Sequence, residues 1–180
     1  ALANGATLMP MTRFSADAWD DLVRREVTHG MLVPAMIDQL LDEGRLVPGA
    51  LRVLQYGASK IHAETLERMM QALPGVEIIQ IYGQTEGAPI TRLSHEDHQR
   101  GVAGEERLLT SAGRALPGVE LRIHEPSEAG IGEVWARAPW LFVTNDEGWR
   151  ETGDVGWIDE AGYLQLVGRK GDMIIRGGEN

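Results

Sequence analysis

The sequence predicts an α/β fold in which a parallel α/β part is followed by a small antiparallel β part. Up to about residue 90, strand-like and helix-like stretches alternate, which is typical of a parallel sheet with crossover helices. Beyond about residue 113, short apolar segments are separated by glycine turns, which is typical of a small antiparallel barrel or sandwich. Two subdomains of different architecture are therefore expected.

The first part contains three predicted helices and three predicted strands. Ser15 can cap a helix, because its hydroxyl can accept from the first turn, and Pro34 suits a first helical turn. The predicted helices run from Ser15 to about Glu26, from Pro34 to about Leu41 and from Ser59 to Pro74. The predicted strands are 27–33, 51–56 and 76–82. We assign residues 1–100 to this α/β subdomain.

The second part is predicted to consist of short strands. Residues 94–113 are polar and charged, and we expect a surface loop with one short helix there. The predicted strands are 119–124, 132–138, 149–151, 155–158, 163–167 and 173–175. Residues 101–170 are assigned to a β-barrel-like subdomain, and 171–180 to a hinge and the start of a further domain.

The composition excludes several classes of function. The 180 residues carry a net charge of -10, which argues against broad binding of nucleic acid or of anionic lipid. Without cysteine there is no disulfide, no thiol nucleophile and no Cys-ligated zinc. No apolar stretch is long enough to span a bilayer, and the first residues lack a signal-peptide pattern. We expect a cytoplasmic protein that acts on small molecules.

The stretch 81–87 carries the strongest chemical signal. A buried strand ends at an aromatic residue, a glycine follows, and a hydroxyl and a carboxylate come next. Ligands of open α/β sheets collect at this edge. Tyr82 offers a flat face to a base, Thr85 can donate to a phosphate, and Glu86 can help to hold Mg²⁺. The alternative is a tight turn with a buried tyrosine and a solvated glutamate.

A second signal lies at 151–154 and 168–172. The carboxylate of Asp154 can accept from both hydroxyls of a ribose, and the guanidinium of Arg169 can donate to the same sugar. The alternative is a β-turn at Gly153-Asp154 and an exposed basic turn at Arg169-Lys170. A pair of histidines, His95 and His98, invites a metal site, but a solvated loop is the better interpretation.

The order and separation of these stretches resemble the successive core motifs of the adenylate-forming superfamily. The motifs that carry the resemblance are 82–86, 152–154, 168–172 and 176–180. The likeness extends over nearly the whole chain, and it implies part of the large N-terminal domain of that family. Met173 to Asn180 is similar to the acyl-CoA synthetase version of the last motif, and Gln84 agrees with that version.

The resemblance implies roles for individual residues. Tyr82 would stack on adenine, Asp154 and Arg169 would hold the ribose hydroxyls, Thr85 would contact phosphate, and Glu86 would contact the metal. Thr85 and Glu86 are thus the predicted catalytic residues, and Glu86 is the predicted Mg²⁺ ligand. The predicted nucleotide-binding residues are Gly57, Ala58, Tyr82, Gly83, Gln84, Thr85, Asp154 and Arg169.

The implied function is that of an ATP-dependent carboxylic acid–CoA ligase, with ATP or AMP, Mg²⁺ and coenzyme A as cofactors. A carboxylate attacks the α-phosphate of ATP to give acyl-AMP and pyrophosphate, and a thiol then displaces AMP. Two alternatives stay open. One is an adenylation domain of the peptide-synthetase type, and the other is a non-catalytic nucleotide-binding module.

Both ends of the chain are interpreted as internal positions of a longer protein. In the family, a Gly-rich phosphate loop would precede Ala1, and a mobile domain with a catalytic lysine would follow Asn180. We therefore expect these 180 residues by themselves not to turn over ATP. Gly171 stands at the family's hinge position, where its backbone has unusual freedom.

Overall fold

The computed structural model describes residues 5–171 and shows a mixed α/β fold. The chain forms two compact units, the first ending at Ile78 and the second beginning at Ile79. This division lies upstream of the boundary assigned from the sequence at 100 and 101, and the domain assignment itself stays a prediction. The strand predicted at 173–175 and the motif at 176–180 lie outside the described residues.

The first unit is built from alternating helices and strands. Its elements are α1 (Ala16–Arg24), β1 (His29–Leu32), α2 (Pro34–Asp42), β2 (Val53–Gly57) and α3 (Ala63–Ala72). β1 and β2 pair in parallel, with His29 opposite Val53. The predicted alternation and the parallel pairing are confirmed, with shorter elements than the sequence suggested.

Local chemistry explains where these elements begin and how they pack. The Ser15 hydroxyl accepts from the Ala18 amide and caps α1, and Pro34 begins α2 as predicted. Trp19 of α1 is 1% exposed and lies against Gly30 of β1, where an added Cβ would come within 3.0 Å of the indole ring. A glycine in β1 therefore lets the helix approach the strand closely.

The described part of the second unit, which ends at residue 171, contains antiparallel strands and one α-helix. Its strands are β3 (Glu77–Gln84), whose first two residues belong to the first unit, β4 (Gly87–Leu93), β5 (Ser111–Ala115), β6 (Glu120–His124), β7 (Gly132–Arg137), β8 (Arg150–Ile158) and β9 (Leu164–Arg169). The spatial order is β3-β4-β5-β9-β8-β7-β6. α4 (His95–Val102) and a 3₁₀ turn (Glu106–Leu108) connect β4 to β5. The sheet is open, so the expectation of a barrel-like subdomain is corrected in that respect.

Three strand predictions in this unit were wrong. The sequence suggested no strand at Gly87–Leu93 or at Ser111–Ala115, yet both stretches form strands. Residues 149–151 and 155–158 were assigned to separate strands, yet Arg150–Ile158 is continuous. The reason is that Gly153, with φ of 72°, sits inside the strand and only resembles a turn in sequence.

α4 is anchored by a partly buried polar cluster, which we call the α4 cluster: Asp97, His98, Arg100 and Tyr163. The Tyr163 hydroxyl, on a side chain that is 0% exposed, donates to Asp97 at 2.6 Å, and Arg100 donates to the same hydroxyl. Asp97 also accepts from the amide and the hydroxyl of Ser94 in a capping box. His98 is 0% exposed, so the interpretation of this histidine as part of a solvated loop was wrong.

No helix within residues 5–171 is long and apolar enough to cross a membrane.

Candidate functional site

The candidate site lies in the second unit, where β3 ends beside the middle of β8. Tyr82 precedes the end of β3 by two residues, and its hydroxyl donates to Asp154 Oδ2 at 2.6 Å. The two residues are 72 positions apart in the chain. Burial of the phenol, followed by its hydrogen bond to the Asp154 carboxylate, raises the pKa of Tyr82 above its usual value. The hydroxyl therefore stays protonated and acts as a donor at neutral pH.

Asp154 is presented by an irregularity in β8. The Thr152 hydroxyl donates to the Val134 carbonyl at 2.6 Å and accepts from the Asp154 amide at 3.1 Å, at a shift in the β7–β8 register. Gly153 takes a left-handed backbone conformation there, which glycine adopts without strain. In the Thr-Gly-Asp motif, the Thr152 hydroxyl thus takes the place of a backbone donor to the Val134 carbonyl and of a backbone acceptor for the Asp154 amide. The glycine turns the chain, and Asp154 projects toward Tyr82.

Arg169 lies directly opposite Asp154 in the β8–β9 pairing. Its Nε donates to Asp154 Oδ1 at 3.0 Å, while its side chain is 61% exposed. The Asp154 side chain is only 13% exposed. The structure therefore brings Tyr82, Asp154 and Arg169 together, with the two donors on different oxygens of one carboxylate.

Gln84, the last residue of β3, joins the same group. Its Nε2 donates to the Thr152 carbonyl at 2.6 Å and to Asp154 Oδ2 at 3.1 Å. Gly83 lies between Tyr82 and Gln84, and an added Cβ there would come within 2.7 Å of the Ala88 side chain. The glycine therefore permits the tight β3–β4 hairpin that points both neighbours at β8.

Thr85 and Glu86 form the turn between β3 and β4. Thr85 is exposed, and the Glu86 side chain is 39% exposed. The Glu86 carbonyl accepts from the Phe142 amide at 3.1 Å, and Gly87 faces Leu141 with no space for a Cβ. The segment 138–149 thus packs directly on this turn and holds it in place.

Gly57 and Ala58 belong to the first unit. Gly57 is buried and ends β2, and Ala58 follows with φ of 69° in the left-handed region. An alanine in this conformation is uncommon and carries strain of about 1–2 kcal/mol. The structure thus places a strained turn at the carboxyl end of a parallel strand, and the proposed contact of these two residues with adenine stays a prediction.

Arg150 was missed in the interpretation of the sequence. Its Nε and Nη2 lie 3.4 and 3.3 Å from Gln84 Oε1, its Nη2 lies 3.5 Å from Glu86 Oε1, and its Nη1 donates to the Val143 carbonyl at 3.2 Å. The residue precedes Asp154 by four positions in one strand. No local signal in the sequence marks Arg150, because the left-handed Gly153 and the shift in the β7–β8 register interrupt the simple alternation that would relate it to Asp154.

Lys170 follows Arg169 and is tied to the same strands. Its amide donates to the Gly153 carbonyl at 2.8 Å, and its ammonium lies 2.8 Å from Glu133 Oε2. Burial works against the charged form of Glu133, but polar contacts, of which the hydrogen bond from Lys170 is the largest, together outweigh burial and lower the pKa of Glu133. These contacts hold the end of β9 beside the Thr-Gly-Asp motif.

Residues 1–144 match the sequence profile of the family described as AMP-binding enzyme. Among curated proteins, the chain is 34% identical to an indoleacetate–CoA ligase of Aromatoleum aromaticum over all of its own length and 38% of that protein. It is 32% identical to a 2-succinylbenzoate–CoA ligase of Lactococcus lactis over 83% of its own length and 32% of that protein. The chain thus spans well under half the length of these relatives.

Solved structures that are similar to this chain come from synthetases, and the chain again spans well under half of each of them. An amide bond synthetase from Marinactinospora thermotolerans superposes with a TM-score of 0.80 at 32% identity, over 94% of this chain and 38% of that one. An O-succinylbenzoate coenzyme A synthetase from Bacillus subtilis, in complex with ATP and magnesium ion, superposes with a TM-score of 0.77 at 32% identity, over 93% of this chain and 37% of that one.

Proposed function

Because the chain belongs to the family of AMP-binding enzymes, we propose that it supplies the AMP-binding part of an ATP-dependent carboxylic acid–CoA ligase. The observation that carries the proposal is the convergence of Tyr82 and Arg169 on the Asp154 carboxylate. The names of the relatives support the acid–thiol ligase class, since the two curated proteins are CoA ligases.

In the proposed site, Tyr82 presents its ring to adenine, and Asp154 and Arg169 bind the ribose. A ribose diol carries two donors, and a carboxylate accepts both, so Asp154 matches the sugar chemically. The guanidinium of Arg169 can turn from Asp154 to a ribose oxygen without leaving solvent, because its side chain is 61% exposed. Gly57 and Ala58 would line the base with backbone atoms.

Thr85 and Glu86 are proposed to face the phosphates from the β3–β4 turn. The exposed Thr85 hydroxyl is a donor for a phosphate oxygen. Glu86 fits Mg²⁺, because its carboxylate is accessible and the cation takes one or two protein carboxylates beside phosphate oxygens. When bound, the cation would neutralise phosphate charge. The residues of this chain contribute alignment and charge, and formation of acyl-AMP requires no covalent protein intermediate.

The second half of the proposed reaction is the attack of a thiol on acyl-AMP, which releases AMP. A second candidate, favoured by the amide bond synthetase structure, is transfer of the acyl group to an amine. Both reactions share the adenylation step and differ only in the acceptor. Acid-dependent pyrophosphate exchange by the full-length protein, followed by AMP release with coenzyme A or with an amine panel, separates them.

Isothermal titration of AMP tests the nucleotide site itself. We expect Asp154→Ala to weaken AMP binding by about 10- to 100-fold, because hydrogen bonds to a charged group contribute about 1.5–3 kcal/mol. Asp146→Ala is the matched control, since Asp146 is an exposed carboxylate in the segment 138–149. Equal affinities of the Asp154→Ala variant and the unsubstituted protein would contradict the proposed site.

A further inference from the structure

Arg150 is a largely buried cation whose contacts join three separate parts of the second unit. Its side chain is 16% exposed, and it contacts Gln84 at the end of β3, Glu86 in the following turn and the Val143 carbonyl. Val143 has φ of 57°, which is strained for a β-branched residue. The guanidinium thus fixes a strained loop position and two candidate site residues at once.

The contacts at the two ends of the Gln84 amide agree on its orientation. Its oxygen only accepts hydrogen bonds and its nitrogen only donates them. With Arg150 at one end, the oxygen faces the guanidinium, and the nitrogen faces the Thr152 carbonyl and Asp154 Oδ2. The reverse orientation would place the amide oxygen against a carbonyl and a carboxylate, so Arg150 and Asp154 hold Gln84 from opposite ends.

Each contact of Arg150 is longer, and so weaker, than the contacts of an ion pair that stabilises a fold. The distances of 3.2–3.5 Å to its acceptors exceed the 2.7–2.9 Å of a strong charged hydrogen bond. Glu86 is 39% exposed, and ion pairs with exposed partners stabilise a fold little. The contribution of Arg150 to the candidate site is therefore mainly geometric.

We propose that Arg150 is a positioning residue for ribose recognition, which acts by holding the Gln84 amide against Asp154. Gln84 and Tyr82 both donate to Asp154 Oδ2, so the direction in which this carboxylate presents its acceptors depends on both donors. Loss of Arg150 leaves Gln84 held from one end only, and the Asp154 carboxylate gains rotational freedom. This role rests on the proposed nucleotide site.

The test is the ratio of the dissociation constants for 2′-deoxy-AMP and AMP in the full-length protein. Loss of one hydrogen bond from a ribose hydroxyl to the carboxylate gives an expected ratio of about tenfold for the unsubstituted protein. We expect Arg150→Met to reduce this ratio to about threefold and Arg150→Lys to retain an intermediate ratio. A lysine ammonium can reach one acceptor but lacks the fork that reaches three.

Arg137→Met is the matched control, because Arg137 is an exposed arginine of β7 whose guanidinium pairs with Glu120 and packs on the Trp149 ring, whereas that of Arg150 contacts Gln84. We expect this variant to keep the full ratio. A general loss of folded protein would lower the amount that binds both nucleotides and leave the ratio unchanged. If Arg150→Met does not fold, the ratio of the Arg150→Lys variant decides.

The outcomes separate the two proposals. An unchanged ratio in both Arg150 variants, with AMP bound normally, overturns the role of Arg150 and leaves the nucleotide site intact. Failure of the unsubstituted protein to bind AMP overturns the nucleotide site, and the role of Arg150 falls with it. A ratio near one already in the unsubstituted protein overturns the assignment of Asp154 to the ribose.

Discussion

The second unit contains two groups built from the same three residue types. In the candidate site, Tyr82 donates to Asp154, which also accepts from Arg169. In the α4 cluster, Tyr163 donates to Asp97 and accepts from Arg100. Both tyrosine–aspartate distances are 2.6 Å, and the two carboxylates are 13% and 14% exposed. Residue type, distance and burial of the carboxylate therefore do not distinguish the two groups.

The partners of each carboxylate make the difference. Asp97 accepts from the amide and hydroxyl of Ser94, and it therefore caps the first turn of α4. Its partner Tyr163 is covered by Arg114, whose guanidinium lies 4.2 Å from the ring centre. Asp154 serves no helix, and its partner Arg169 is 61% exposed. A carboxylate with one displaceable partner suits a ligand, whereas one committed to a helix cap stabilises the fold.

Asp97→Ala is expected to have the largest effect, because it removes the central carboxylate of the α4 cluster. The variant loses the capping box and leaves the Tyr163 hydroxyl without its acceptor, and we expect the free energy of unfolding to fall by about 2–4 kcal/mol. Urea denaturation measures the loss. AMP affinity of the folded variant should stay unchanged. If instead AMP affinity fell while stability stayed the same, the assignment of the two groups would be reversed.

His98 of the α4 cluster makes the free energy of unfolding depend on pH. Burial lowers its pKa from 6.5 to about 4, despite the hydrogen bond to the Ser94 carbonyl. Between pH 4 and pH 6.5 the unfolded chain therefore binds a proton at His98 that the folded chain does not bind. Protonation favours the unfolded state, so the free energy of unfolding decreases as pH falls below 6.5. From pH 7.5 to pH 5 we expect a loss of about 2 kcal/mol in the free energy of unfolding.

His98→Asn is the variant that isolates this effect, since the asparagine amide nitrogen takes the place of Nδ1, can still donate to the Ser94 carbonyl and does not titrate. Denaturation at the two pH values should show a much smaller difference for this variant than for the unsubstituted protein. Burial works against the charged form of Asp97, but hydrogen bonds from Tyr163 and Ser94 outweigh burial and lower the pKa of Asp97, so this carboxyl titrates below the range from pH 5 to pH 7.5. Identical pH dependence with and without His98 would contradict the burial of a neutral imidazole.

The smallest expected effect comes from Arg169→Met compared with Arg100→Met. Arg169 is exposed, so its loss should weaken AMP binding by only about threefold and leave stability unchanged. Arg100 donates to Glu105 and to the Tyr163 hydroxyl, but its side chain is 40% exposed, so its loss should lower the free energy of unfolding by at most about 1 kcal/mol and leave AMP affinity as it is. Calorimetric titration and urea denaturation of both variants measure the contrast. Equal effects of the two substitutions on AMP affinity would contradict the assignment of Arg169, and not Arg100, to the nucleotide site.

Elements with strong local signals were predicted from the sequence, and elements formed by tertiary pairing were not. The Ser15 cap and the Pro34 start were predictable, because each acts within one helical turn. β5 has the sequence Ser-Ala-Gly-Arg-Ala, with little intrinsic preference for strand, and it exists because β4 and β9 pair with it on either side. Such a strand is invisible to a search for apolar runs.

The candidate site shows the same limit. Tyr82, Asp154 and Arg169 were found because their motifs occur in a recognisable order, and the structure places them within hydrogen-bond reach of one another. Their roles toward a nucleotide remain predictions. Arg150 escaped notice because nothing local marks it, and its meaning comes from side chains 64 and 66 positions away at Glu86 and Gln84.

Tyr82 meets any ligand with its ring already immobilised. A free aromatic side chain that stacks on a base loses rotamer entropy equivalent to about 0.5–1.5 kcal/mol. Here the hydroxyl is tethered to Asp154 at 2.6 Å, so the plane of the ring is set when the sheet forms. The entropic penalty falls on folding and not on association, and a flat aromatic ligand would gain affinity at this surface without any additional contact.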